Sequence, residues 1–233
     1  MTGPSGGFNA AFVPFRSEPA PRLCDFRLSQ SRFLLMDVLQ HLREATRSQH
    51  ESIEARVDVL RPDLTRAEYR RLLERFYGFY VPLEAALAGA ADWERLGFAF
   101  HERRKVSHLE RDLLCLGLTP TGLRALPRCS ELPSAAGLPA ALGSLYVVEG
   151  ATLGGQLIAR HVKPRLGLAD AAGCAFFTSY GADVGRNWRA LGEFLRAQLR
   201  TGADVERAAG AAGDTFAKLG SWLARGQERH DGT

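Results

Sequence analysis

Apolar residues recur at Leu39, Leu42, Ile53, Val57 and Leu60, at separations of three and four or their sums, the period of one face of an α-helix. The same stripe passes through Thr46 and His50. A hydroxyl and an imidazole on a core-facing stripe need a reason, because a buried imidazole without partners costs on the order of 1–3 kcal/mol. A hydrogen-bonded core histidine and a metal ligand both satisfy that requirement at this point. The pattern predicts a first helix from about Leu34 to Val59. Arg61-Pro62-Asp63-Leu64-Thr65 breaks it, and Thr65 followed three residues later by Glu68 has the form of a capping box. A second helix from Arg66 to about Gly89 presents Tyr69, Leu72, Leu73, Phe76, Phe79, Tyr80 and Leu83 on its apolar side, with Pro82 expected to bend it. Phe100 to Leu116 reads as helical, with Lys105, Glu110, Arg111 and Asp112 as solvated charges. Thr119 to Pro139 reads mostly as loop, because it holds Pro120, Pro127, Pro133 and Pro139 and two glycines, Gly122 and Gly137. Ala140 to Val162 is a long helical pattern ended by Lys163-Pro164. Phe176-Phe177 leads into a helix at about Ala182 to Arg200, and a last one spans Val205 to Arg225. No segment alternates with period two, so the chain is expected to be all-α, without a sheet or an internal repeat.

Residues 1–33 are rich in Gly, Pro and Ser and lack sustained periodicity, which predicts a poorly ordered extension before one domain at 34–226 and a short tail at 227–233. Hydrophobic residues at 45% and charged residues at 24% are ordinary for a soluble globular chain. No apolar run approaches the roughly 20 residues that cross a bilayer, and the first residues do not form a secretory signal. Cys24, Cys115, Cys129 and Cys174 are far apart, which argues against a zinc site, an iron–sulfur cluster and a disulfide framework. A cytoplasmic protein with free thiols and no membrane association is the expectation. The net charge of +4 suits an acidic protein partner or an anionic ligand without requiring nucleic acid, and none is expected.

Gly150-Ala151-Thr152-Leu153-Gly154-Gly155 lies inside the Ala140–Val162 pattern. Three helix-interior glycines cost roughly 3 kcal/mol relative to Ala. Gly150 and Gly154 are four apart and share a face. Two uses repay such glycines: close packing of two helices, or a helix laid across a large planar ligand.

Leu42 to Glu54 together with Leu145 to Gly155 resembles heme oxygenase, and within that family the bacterial group associated with bacteriophytochromes. Phe76 to Glu84 and Phe176 to Gly181 are further matches, and the resemblance covers about Leu39 to Leu223. It implies a helical bundle with heme b between a proximal and a kinked distal helix, and O2- and electron-dependent cleavage of heme to biliverdin, Fe2+ and CO. In this resemblance His50 falls on the proximal iron ligand, and Gly150, Gly154 and Gly155 fall in the distal helix over the heme. Glu54, one turn after His50, is placed to accept the other imidazole N–H. Arg43 and Arg189 match contacts to the heme propionates, carboxylates that favour Arg. Thr46, Tyr180, Phe177 and Phe216 complete the expected cofactor-binding set. The family's animal members carry an acid after the first glycine that organises water for proton delivery, and this chain has Ala151 there. A further basic position is Glu193 here. The expected partners are heme, O2 and an acidic electron donor such as ferredoxin or flavodoxin with its reductase, with a bacteriophytochrome as recipient of the product. His41, His101, His108, His161 and His230 read as surface residues. A heme carrier without turnover shares His50 with this reading. A thiaminase-type enzyme on the same broad fold would want an activated cysteine or paired carboxylates. A helical interaction module would bind no heme.

Overall fold

In the computed structural model, which describes residues 37–169 and 172–225, the first stripe folds as two helices, α1 (Val38–Ala45) and α2 (Arg47–Arg56). The predicted single helix breaks at Thr46, whose backbone (φ −111°, ψ 7°) leaves the helical region while its hydroxyl donates to the Leu42 carbonyl at 2.7 Å. The His50 N–H still reaches the Thr46 carbonyl at 3.0 Å, so α2 starts without a gap. The predicted extension at 1–33, the tail at 227–233 and His230 lie outside the described residues.

Helix α3 (Arg66–Ala88) opens on the expected capping box: the Thr65 hydroxyl accepts from the Glu68 N–H, and the Glu68 carboxylate accepts from the Thr65 N–H. The helix continues through Pro82. Proline has no N–H for the Gly78 carbonyl one turn earlier, and the Cys129 N–H takes that acceptor at 2.9 Å. Gly78 is there for a second reason, since a Cβ would lie 2.5 Å from the Pro127 carbonyl oxygen and 2.8 Å from the Trp222 ring.

The predicted Phe100–Leu116 helix is divided into a 3-10 turn (Phe100–Arg103) and α4 (Val106–Cys115). The division falls where Glu84 of α3 accepts the Lys105 and Val106 N–H groups at 2.5 and 3.2 Å, a carboxylate closing a helix N-terminus from another helix. Lys105 and Asp112 are fully buried, which corrects their reading as solvated charges. Asp112 accepts the Ala175 and Phe176 N–H groups at 2.7 and 2.8 Å and caps the short α7 (Ala175–Thr178).

Between these, α5 (Pro120–Ala125) punctuates the proline-rich loop, and α6 (Leu138–Leu166) runs unbroken through all three glycines. It outlasts the predicted stop at Pro164 and ends at Gly167, whose left-handed backbone lets Leu168 N–H reach the Lys163 carbonyl at 3.0 Å. A second 3-10 turn (Gly181–Asp183) precedes α8 (Val184–Gln198), and α9 (Gly202–Ala224) begins with a capping box from Thr201 and Asp204. Among the described residues the β structure amounts to one isolated bridge, Ala169 to Ala172, so the fold is all-α as expected. Helix α9 packs along α6 and also carries α1, α2 and α3. A Cβ on Gly143 of α6 would overlap the Ala208 carbonyl of α9, and the Thr215 and Ser144 hydroxyls hydrogen-bond at 2.9 Å across the same seam.

The capping box gives α3 an acid-sensitive start. Thr65 and Arg61 hold the Glu68 carboxyl down from 4.5 to about 2. Its folded-state pKa lies below the unfolded one, so the contribution is fully present above pH 4.5 and is lost as pH falls toward 2. We expect Thr65→Ala to lower unfolding stability by about 1 kcal/mol. Glu68→Gln should flatten the acid limb of stability against pH between about 4.5 and 2, read by urea denaturation.

Candidate functional site

His50 sits in the middle of α2, and its side chain is 52% exposed. The core-histidine alternative is therefore excluded. The Nδ1 atom faces Glu54 Oε2 at 3.6 Å, one turn on, which leaves Nε2 as the nitrogen for a metal. That separation exceeds a hydrogen bond, and a rotamer adjustment of a few tenths of an ångström would close it. Phe216 of α9 meets the imidazole edge-to-face at 5.6 Å between centroids and restricts its swing. Among the described residues no three His, Cys, Asp or Glu side chains cluster as a metal site, so His50 stands as a single-ligand candidate.

Helix α6 carries the other candidate surface. Gly150, Leu153, Gly154 and Leu157 follow the i, i+3, i+4, i+7 spacing of one helix face, and Leu153 and Leu157 are 41% and 60% exposed. Among the described residues, a Cβ on Gly154 would meet nothing within 4 Å, and one on Gly150 would touch Trp188 at 3.7 Å. An exposed apolar stripe with two backbone-bare positions fits a flat apolar ligand. Gly155 lies on a different face. A Cβ there would lie 2.6 Å from the Phe177 carbonyl oxygen, so its role is to let α6 meet the 174–178 segment, and beside it Gln156 donates to the Thr178 carbonyl at 2.9 Å.

Other expected site residues divide in the same way. Thr46 is 2% exposed and its hydroxyl is committed to the Leu42 carbonyl, so it belongs to the α1–α2 break and does not face a ligand. Phe177 is buried among Tyr69, Phe76 and Phe176, a core position. Tyr180 was expected at a ligand edge. Its hydroxyl instead donates to Glu149 Oε1 at 2.7 Å and accepts from Lys105 Nζ at 2.6 Å. It reaches them through a turn in which Ser179 has φ 31°, the one non-glycine residue with positive φ among those described. Arg43 and Arg189 are exposed, Arg43 acts on Tyr146 through its charge, and Arg189 directly follows Trp188, whose ring packs on Tyr146 at 5.6 Å. Ala151 is exposed on α6.

A group absent from the expected set lies behind the glycines. Glu149, 1% exposed, accepts from Arg103 Nη1 at 2.8 Å, from Lys105 Nζ at 2.9 Å and from the Tyr180 hydroxyl. Arg103 Nη1 also donates to the Asn187 carbonyl of α8 at 3.1 Å. Burial pushes the Lys105 ammonium below its ordinary pKa, and Glu149 opposes that shift. Burial pushes the Tyr180 phenol up, and Glu149 adds to it. Sequence offered one usable signal, a glutamate directly before Gly150 in an otherwise apolar run from Leu145. Two open grooves of about 480 and 350 Å3 run between α2 and α9, lined by residues such as Gln49, Gly213, Ser52 and Gly220. Neither has His50 or the α6 glycines on its wall, so the candidate site rests on those residues themselves and not on the grooves.

Fold and site together define a helical protein with an exposed histidine on one helix and a bare apolar stripe on another. A sequence model of the heme oxygenase family matches residues 36–225. A heme oxygenase from Xanthomonas campestris pv. campestris (strain 8004) is 32% identical over 159 residues, covering 67% of this chain and 88% of that protein. The NO- and CO-bound heme oxygenase from Neisseria meningitidis superposes with a TM-score of 0.70 at 20% identity, over 82% of this chain and 92% of that one. Heme oxygenase-1 from the cyanobacterium Synechocystis sp. PCC6803, in complex with heme, gives a TM-score of 0.67 at 20% identity, over 83% and 94%. The chain belongs to the heme oxygenase family of heme-degrading enzymes.

The glycines are expected to separate experimentally. Gly154→Ala should raise the stability of the ligand-free protein by up to about 1 kcal/mol, because the methyl meets open space and Ala is the better helix former. Gly155→Ala should lower it by about 1–3 kcal/mol through overlap with the Phe177 carbonyl. Denaturant midpoints of the two variants check both signs.

Proposed function

We propose that His50 ligates the iron of a heme held between α2 and α6, and that the protein cleaves this heme with O2 and electrons to biliverdin, Fe2+ and CO. The observation that carries the ligand assignment is an exposed imidazole on α2, with Nδ1 turned toward Glu54 and Phe216 against its ring. Heme bound here is both the substrate and the group that activates oxygen. Glu54, 3.6 Å from Nδ1, is placed to accept a hydrogen bond from Nδ1–H once the side chains close up, which would favour the tautomer with Nε2 available to the iron. Gly150 and Gly154 keep side chains out of the space above the iron. Leu153 and Leu157 supply apolar contact surface, and their burial excludes water from the ligand. Arg43 and Arg189 are the cations for the two propionates. With Ala151 in place of an acid and Glu149 held in its ion pairs, protons reach the distal face from solvent. The resemblance to the phytochrome-associated group supports a bacteriophytochrome as the consumer of the biliverdin. No helix among the described residues is long and apolar enough to cross a membrane.

The test is heme titration followed by ascorbate or a ferredoxin system, with spectra and pigment analysis. His50→Ala should keep its helix content, change in stability by no more than about 0.5 kcal/mol because the side chain is half exposed, and lose both the histidine-ligated spectrum and turnover. An unchanged Soret band with full activity in that variant sinks the ligand assignment. Spectra of a bound heme that is never converted leave a carrier instead of an enzyme.

The electron donor is proposed to dock on the rim formed by Arg43, Arg47 and Arg189, all exposed. Rim charges act mainly on association rate and are screened over roughly 8–10 Å at physiological salt. Stopped-flow reduction by an acidic ferredoxin should slow with rising salt and slow further in Arg47→Glu, while heme affinity stays nearly constant. Rates indifferent to both changes remove the docking site.

A further inference from the structure

One guanidinium joins the two parts of the chain that would hold the ligand from different sides. Arg103 Nη1 donates at once to Glu149, the residue before Gly150, and to the backbone carbonyl of Asn187, two residues before Arg189. The 3-10 turn that carries Arg103 is itself fixed: the guanidinium lies 5.1 Å above the Phe98 ring, and Lys105 Nζ donates to the Arg103 carbonyl at 2.6 Å. The Arg103 side chain is 10% exposed and the Glu149 side chain 1%, so solvent competes little for these bonds. Trp188, between Asn187 and Arg189, is the side chain that a Cβ on Gly150 would touch. The bridge and the indole therefore act on the same pair of segments, the first turn of α8 and the glycine turn of α6.

We infer that Arg103 is a positioning residue for regiochemistry: its bridge from Glu149 to Asn187 fixes where Arg189 stands relative to Gly150 and Gly154, and thereby which meso edge of a bound heme lies under the open distal space. A propionate anchored on Arg189 determines the in-plane rotation of the macrocycle. The bare positions of α6 determine where oxygen has room. The meso carbon that reacts is the one where these two settings coincide, and displacement of reacting groups by about an ångström is enough to change rates by on the order of a hundredfold. Arg103 touches neither the ligand nor the reacting atoms in this account. The inference rests on the heme oxygenase reading above.

Removal of Arg103 leaves Lys105 and Glu149 as a balanced buried pair, so Arg103→Met is the variant of choice, with its thioether chain kept over Phe98. Arg103→Lys retains the charge, but its ammonium is one bond closer to the backbone than Nη1 and cannot serve both acceptors with the same geometry. Two readouts are used on folded, heme-loaded protein. The first, independent of turnover, is the proton NMR pattern of the heme methyl groups in the ferric complex. The second is the biliverdin isomer ratio by chromatography. Arg103→Met should add a second set of methyl resonances and raise the minor isomer by about tenfold, with the rate of heme loss falling less than the ratio changes. Arg103→Lys should fall between it and the parent. If Arg103→Met does not fold, Glu149→Gln, which keeps the side-chain shape and weakens the same bridge, takes the same two measurements. Parent-like methyl patterns and isomer ratios in the folded variants overturn the inference. A parent protein that binds heme without producing any biliverdin overturns the function reading instead, and the two failures are distinguishable.

Discussion

The spacing of the helices that carry His50 and the α6 glycines depends on a backbone contact that neither of them makes with the other. Gly143 of α6 lies so close to the Ala208 carbonyl of α9 that no Cβ fits between, and the Thr215–Ser144 hydrogen bond fixes the same seam along the helix axes. The other side of α9 receives α2: Ile53 lies 3.7 Å from where a Gly220 Cβ would be, and Phe216 packs on His50. Helices α2 and α6 do not pack substantially on one another. The separation of α2 from α6 is therefore governed by α9, a helix rich in Ala and Gly that packs on both. Small residues make this possible because a backbone-to-backbone approach needs both partners to lack bulk.

A second constraint is electrostatic. Three carboxylates, Glu84, Asp112 and Glu149, are buried to within about a percent of complete burial. Such groups are weak sources of net stability, since desolvation offsets most of the attraction. Each is placed where it fixes geometry. Glu84 closes the N-terminus of α4 and pairs with Arg104 at 3.1 Å, and Asp112 closes α7. Glu149 joins the segments that carry Arg103, Lys105 and Tyr180. Burial raises the Glu84 and Asp112 pKa values, and the backbone N–H donors they accept from pull in the opposite direction. Loss of any one would leave a buried cation or several helix N–H groups without a partner, which is costly even where the intact arrangement is not strongly stabilising.

Much of the architecture was legible because it rests on local rules. Both capping boxes are short-range, and the one at Thr65 was read directly. The helix at Gly150–Gly155 and the odd polar positions of the Leu39–Leu60 stripe stood out as departures from periodicity. What remained illegible depends on distant partners. Asp112 looks like a surface charge until the N–H groups of Ala175 and Phe176 arrive some sixty residues later in the chain. Lys105 looks solvated until Glu149 and Tyr180 surround it. The Tyr180 hydroxyl was expected at the heme edge because nothing local shows the turn at Ser179 that directs it to Glu149 and Lys105. The break at Thr46 arises from a side chain returning to its own helix, a competition that apolar periodicity does not register.

The three glycines of α6 show how packing separates structural need from functional need at residues that sequence alone treats alike. Gly155 is explained by its neighbours, since the Phe177 carbonyl occupies the place of its side chain. Gly150 is tolerant, because an added methyl would make an ordinary contact with Trp188. Gly154 has no neighbour that requires it. A glycine in the interior of an α-helix costs about 1 kcal/mol relative to Ala. At Gly154 nothing among the described residues compensates for that, and the residue stands beside Leu153 and within a turn of Leu157, large apolar side chains left exposed. A destabilising residue flanked by unburied apolar surface is what a ligand covering the stripe would need, and this supports Gly154, over the other two, for the open position in the proposed site.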